Sequence, residues 1–95
     1  MLNERRTEPR ETLAVPVLIG EGEPGVTRDI SASGLFFQAD REHAVDSVLD
    51  IELTLASPHA LFRFVTQGCV LRTERHRDRL GVAVKLLTTR MEMLT

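Results

Sequence analysis

The sequence predicts an all-β fold of about six strands, an antiparallel barrel or sandwich, with a small barrel favoured. Three observations carry this reading. Apolar, β-branched segments recur at intervals of about 8–12 residues with turn-forming residues between them. No segment keeps a helical period through two clear turns. Residues 48–55 (VLDIELTL) alternate cleanly, with Leu49, Ile51, Leu53 and Leu55 on one face and Asp50, Glu52 and Thr54 on the other. A sheet that is apolar on one face has to be closed or covered, which favours a barrel.

Residues 1–11 (MLNERRTEPRE) set Arg5, Arg6 and Arg10 against Glu4, Glu8 and Glu11, with almost nothing apolar after Leu2. Pro9 pushes Glu8 out of the helical region. The expectation is a flexible Arg-rich arm over 1–11 ahead of one barrel domain over 12–95. Residues 12–19 (TLAVPVLI) form the first strand, and Pro16 marks it as an edge strand or a bulge. EGEPG at 21–25 is a loop. VTRDI at 26–30 is a strand that enters a turn at SASG, and LFFQA at 35–39 is the strand that leaves it. Residues 40–47 (DREHAVDS) are a polar connection with room for one helical turn. Beyond the strand at 48–55, Ala56 to Ala60 is a turn containing Pro58. Residues 61–72 read as one long strand or two, with Gly68 at a bulge or bend. Residues 73–79 (TERHRDR) are a charged hairpin loop and Leu80 to Leu87 the last strand. Residues 88–95 leave space for a short helical turn at most.

Composition narrows the function. Ninety-five residues with 42% hydrophobic content suit one small domain with a single core. The aromatic content is 4%, all Phe, which argues against a wall of stacked aromatics for sugars or single-stranded nucleic acid. A net charge of −2 and a pI near 5.9 disfavour a general polyanion binder. The single Cys excludes an internal disulfide and fits a reducing, cytoplasmic setting. The apolar stretch Leu13 to Ile19 is far too short for a membrane helix, and the charged N-terminus does not read as a secretory signal. Eleven Arg stand against one Lys, Lys85. Codon bias produces such a ratio, and so does selection for planar anions or guanine edges, which Arg engages better than Lys.

Catalytic constellations are absent from the pattern. Cys69 sits in Gly-Cys-Val-Leu as a buried structural thiol. His43, His59 and His76 have no Cys or His at metal-ligand spacing. Asp50 and Glu52 share the solvent face of a strand, and neither a Walker loop nor a GxSxG elbow occurs. The expectation is a non-enzymatic protein without cofactor or metal. The arginines at 72, 75, 77 and 79 are interrupted by Glu74 and Asp78, so they read as a charged hairpin tip and not as a nucleic-acid surface.

Two short motifs remain. The first is Arg-x-x-x-Arg at Arg6 and Arg10, preceded by Arg5. Alone it is weak, because this composition supplies about one such spacing by chance, and Arg75 and Arg79 form a second copy. The second is Asp-x-Ser-x-x-Gly at Asp29, Ser31 and Gly34, which chance supplies about once in eighty such sequences. Read structurally, it is a polar turn in which Asp29 and Ser31 bond backbone amides and Gly34 takes a positive φ.

In this order the two motifs resemble the signature of the PilZ domain, the bacterial receptor module for cyclic di-GMP. The resemblance continues through the apolar strand Leu35-Phe36-Phe37, through Gly68-Cys69-Val70-Leu71-Arg72, and into the closing strand Gly81-Val82-Ala83-Val84. It covers residues 5 to about 90. It implies a six-stranded antiparallel β-barrel, and it implies that Arg5, Arg6, Arg10, Asp29, Ser31 and Gly34 bind cyclic di-GMP. The residue types suit that dianion. An Arg fork engages guanine O6 and N7 or a phosphate, and a carboxylate accepts from guanine N1–H and N2–H₂. The arm is expected to fold over the ligand on binding. The chain is expected to be a monomer or weak homodimer; with its end at Thr95, its output for motility, adhesion or biofilm is expected to pass through self-association or an unidentified effector protein. Partners of nucleic acid or membrane type are not expected. Some members of the family bind no nucleotide and serve as protein-interaction scaffolds, for example in type IV pilus assembly, which is the alternative reading.

Overall fold

The computed structural model describes residues 11, 12 and 14–94. It contains seven strands: β1 (Glu11–Thr12), β2 (Pro16–Ile19), β3 (Glu23–Ile30), β4 (Gly34–Ala39), β5 (Val48–Ala56), β6 (Leu61–His76) and β7 (Arg79–Met93). Every pairing is antiparallel. The order β3-β2-β5-β6-β7-β4 closes on itself through β3–β4, giving the expected six-stranded barrel, with β1 as a further short strand on β3. There is no helix among the described residues.

Alternation fills the interior. Leu35, Phe37 and Ala39 of β4 and Ile51 and Leu53 of β5 point inward, as their period-2 spacing requires. They pack with Val15, Val17, Ile19, Val70, Val82 and Val84 in one core. Gly68 is buried where the β6–β7 register shifts, between Gln67 and Gly68. A Cβ there would stand 2.8 Å from Val84 Cγ2, so β7 crosses β6 too closely for any side chain.

Several segments differ from expectation. Pro16 does not mark an edge: β2 is bonded by both β3 and β5, and Pro16 is tolerated as the strand's first residue. The bulge falls instead on β3, between Thr27 and Asp29 of its register with β4. Buried Thr27 binds the chain there twice. Its amide donates to the Val15 carbonyl at 2.9 Å, and its Oγ1 accepts from the Val15 amide at 2.8 Å. Strand β3 starts at Glu23, so the expected 21–25 loop contracts to a turn with positive φ at Gly20 and Gly22. The connection at 40–47 forms turns but no helix. The charged loop at 73–79 contracts to Arg77 and Asp78, with Arg77 in the left-handed region at φ 60°. Residues 88–93 are strand and not a helical turn, because β6 supplies partners from Gln67↔Thr88 to Phe62↔Met93. Cys69 is half-buried and not fully buried.

Candidate functional site

The Asp-x-Ser-x-x-Gly motif forms the turn from β3 to β4 and lies on the outer wall of the barrel. Asp29 and Ile30 end β3 opposite Phe36 and Leu35 of β4. The Ser31 amide donates to the Gly34 carbonyl at 3.0 Å, and the Ser31 hydroxyl donates to the same oxygen at 3.4 Å. The Ser31 hydroxyl therefore braces the turn by giving a hydrogen bond to a carbonyl, where the sequence suggested that it would receive one from an amide. Gly34 also departs from expectation. Its φ is not positive; it is the extended first residue of β4, opposite Lys85. A Cβ on it would lie 3.4 Å from the Val84 carbonyl and 3.6 Å from Ser31 Oγ, so glycine here keeps the wall low. The Leu86 amide donates to the Ser33 carbonyl at 2.8 Å and ties the turn to β7.

The turn borders a cleft of about 460 Å³ that runs across β4, β7 and β6. Asp29, Ser31 and Gly34 share its lining with Arg72, Glu74 and Lys85. Arg72 and Glu74 form an exposed ion pair at 3.1 Å, so both guanidinium and carboxylate can be recruited without loss of buried bonding. Leu71, Phe36 and Ala83 add apolar surface to the same walls. A cleft of this size with a few convergent polar groups suits a small ligand that carries both charge and flat apolar faces.

Of the six residues expected to bind, the structure brings together Asp29, Ser31 and Gly34. Arg5, Arg6 and Arg10 lie outside the described residues. The chain that follows them is well placed, however: Glu11 pairs with Ile30 and Thr12 with Asp29, so the first motif leads directly onto the strand that carries the second. The sequence alone does not mark Glu74 and Lys85 as site residues. It presents Arg72 only as the end of the segment Gly68-Cys69-Val70-Leu71-Arg72 and as part of the charged hairpin tip. Nothing in the neighbouring residues marks Lys85; its place follows from the register Gly34↔Lys85, which sequence does not encode locally.

A closed antiparallel barrel with this turn beside a polar cleft defines a barrel module of the PilZ type. The PilZ domain family model matches residues 4–94, and the chain belongs to that family, a family of cyclic di-GMP receptor type. Among solved structures, the chain resembles the Bacillus subtilis inhibitor of motility (MotI/DgrA), with a TM-score of 0.83 and 16% identity. That match covers 92% of this chain and 44% of the other, so this chain spans less than half the length of that protein. At this identity the likeness shows the fold. None of the curated proteins matches the chain.

Proposed function

We propose that this chain is a cyclic di-GMP receptor that holds the dinucleotide between the Arg5/Arg6/Arg10 segment and the cleft at Asp29, Ser31 and Gly34. The observation that carries the reading is the β1–β3 pairing, which starts the described chain beside Asp29 and Ile30, one residue after Arg10. The strand that follows the first half of the signature in sequence is thereby paired with the strand that carries the second. The charges are complementary. The cleft holds two acids, Asp29 and Glu74, and two bases, Arg72 and Lys85. The three arm arginines add the positive charge that a dianion needs, in the planar form that stacks on guanine and forks onto O6 and N7. Asp29 accepts from a guanine N1–H and N2–H₂ edge, Ser31 adds a hydroxyl, and Gly34 leaves the backbone open to close approach.

PilZ domains are generally non-enzymatic adaptors, and we assign this chain the same part. Ligand capture changes the surface around the β3–β4 turn, and an effector protein reads that surface. We assign this action to the cytoplasm, where a water-soluble ligand would be met.

Calorimetric titration of the full chain with cyclic di-GMP tests the proposal, with GTP as control and the double variant Arg6→Ala/Arg10→Ala alongside. Saturable binding is expected for cyclic di-GMP alone and only with both arginines in place. An absence of saturable heat from protein shown to be folded would overturn it and return the chain to the scaffold reading.

A further inference from the structure

The barrel is closed, yet the β6–β7 hairpin runs past its rim. Strand β4 leaves β7 at the pair Gly34↔Lys85, with one further bond from the Leu86 amide to Ser33. From Thr88 to Met93, β7 is paired to β6 on one side and to no other strand among the described residues. The backbone groups on that open side can be identified. The Leu94 amide donates to the Leu61 carbonyl at 2.7 Å, which makes 61/94 a hydrogen-bonded pair. Antiparallel ladders alternate bonded and non-bonded pairs, so 63/92 and 65/90 are also bonded. The amides and carbonyls of Thr89, Met91 and Met93 therefore point to the open edge.

Natural edges are blunted by proline, bulges, inward charges or covering elements. Thr88–Met93 (TTRMEM) contains no proline, and its register with β6 is unbroken, since the bulge at Leu87 precedes it. Its apolar face continues that of β5 and β6, through the rows Leu53–Phe64–Met91 and Leu55–Phe62–Met93. Met91 and Met93 remain 58% and 68% exposed at its outer end. The opposite face carries charges that alternate in sign from strand to strand. Arg63 of β6 meets Glu52 of β5 at 3.6 Å and Glu92 of β7 at 3.1 Å, and Glu92 also meets Arg90, two residues back on its own strand, at 3.3 Å.

We propose that the open edge of β7 pairs with the same edge of a second copy of this chain, antiparallel and centred on Met91. The register is self-complementary. A two-fold axis at Met91 sets its outward amide and carbonyl against those of Met91 in the other copy, and sets Thr89 against Met93 on either side. The same axis places Arg90 opposite Glu92 of the other copy, twice. The row Arg63–Glu92 is then continued by the other copy's Arg90, keeping the alternation of sign. On the other face the two Met91 side chains meet and join the two Phe62/Phe64/Met93 patches into one apolar surface. A different partner strand could satisfy the backbone, but the Arg90/Glu92 spacing matches its own reversal, and that selects a second copy.

The test is sedimentation of the full chain without nucleotide, over a range of concentrations, so it is independent of ligand binding. The wild-type chain is expected to show a concentration-dependent monomer–dimer equilibrium. Arg90→Glu faces Glu against Glu92, and Glu92→Arg faces Arg against Arg90; each is expected to weaken association about tenfold or more. An equimolar mixture of the two variants restores both opposite-charge pairs and is expected to recover the dimer as a heterodimer. Circular dichroism of each variant checks that the barrel is intact, and the mixture distinguishes lost pairing from lost folding. Amide exchange at Thr89, Met91 and Met93 is expected to slow as wild-type concentration rises. A monomer at all concentrations overturns the proposal. So does a dimer indifferent to both substitutions, which would mean association through another surface, or a mixture that stays monomeric.

Discussion

Gly68→Ala is the substitution whose outcome the barrel's geometry constrains most tightly. The new Cβ would lie 2.8 Å from Val84 Cγ2, 2.9 Å from Val84 Cβ and 3.2 Å from Ile51 Cδ1. Carbon atoms prefer separations of about 3.5–4.0 Å, so Val84 would have to retreat by roughly 0.7 Å. It has nowhere to go. It is 2% exposed, its χ1 is stiff, and its strand is bonded to β4 and β6 on either side. Two gains oppose the overlap: about 0.4–1 kcal/mol from a less flexible unfolded chain and about 0.8 kcal/mol from one more buried methyl group. Overpacking costs about 1–3 kcal/mol in ordinary cores, and because the overlap here reaches a Cβ, which moves only with its backbone, the cost is at the upper end, about 3 kcal/mol. The cost wins, leaving a net loss of about 1–2 kcal/mol and a melting temperature lower by roughly 5–15 °C. Far-UV circular dichroism is the suitable probe, since the chain has neither Trp nor Tyr. Adding Val84→Ala removes the Cγ2 overlap, so the double variant should lose less than the two single losses together. A Gly68→Ala chain that melts at or above the wild-type temperature, or strict additivity with Val84→Ala, would refute the argument.

Two further outcomes follow from the site and its supports. Thr27→Val keeps shape but leaves the Val15 amide without its 2.8 Å acceptor inside the barrel, so urea unfolding should show a loss of about 1–3 kcal/mol with an unchanged slope. A variant as stable as wild type would show that the hydroxyl is dispensable. Lys85→Glu should lower cyclic di-GMP affinity by about tenfold to a hundredfold through loss of a charge-assisted contact. Its melting temperature should stay unchanged, because Lys85 is exposed; calorimetry showing wild-type affinity would remove Lys85 from the site.

The parts of this fold that were legible in the sequence are those governed by neighbours along the chain. The alternation at 48–55 placed Leu49, Ile51, Leu53 and Leu55 on the core side, and the SASG turn announced the β3–β4 hairpin. Gly68 was legible as a bulge because an isolated glycine inside an apolar strand has few other uses. What escaped was decided between strands. Residues 88–93 hold good helix formers, two Met, an Arg and a Glu, yet the partner residues Phe62 to Gln67 recruit them into β7. Pro16 suggested an edge, but proline only requires a missing donor at its own position, and the first residue of an interior strand meets that requirement.

The same division applies to the cleft. Asp29, Ser31 and Gly34 are read together because one turn holds them, whereas Lys85 and Arg72 reach that turn only through the registers Gly34↔Lys85 and Arg72↔Ala83. The second of these registers follows two shifts in the β6–β7 ladder, one at Gln67/Gly68 that leaves Leu87 of β7 unpaired and one at Val70/Arg72 that leaves Leu71 of β6 unpaired. Because a slip of one residue sends a side chain to the other face of a sheet, the two bulges decide whether Arg72 faces the ligand cleft or points away from it. Gly68 therefore bears on function as well as on stability. A side chain there that was accommodated by straightening the first bulge would re-register β6 against β7 and move Arg72 relative to Asp29 and Lys85, with no change in any residue that lines the cleft.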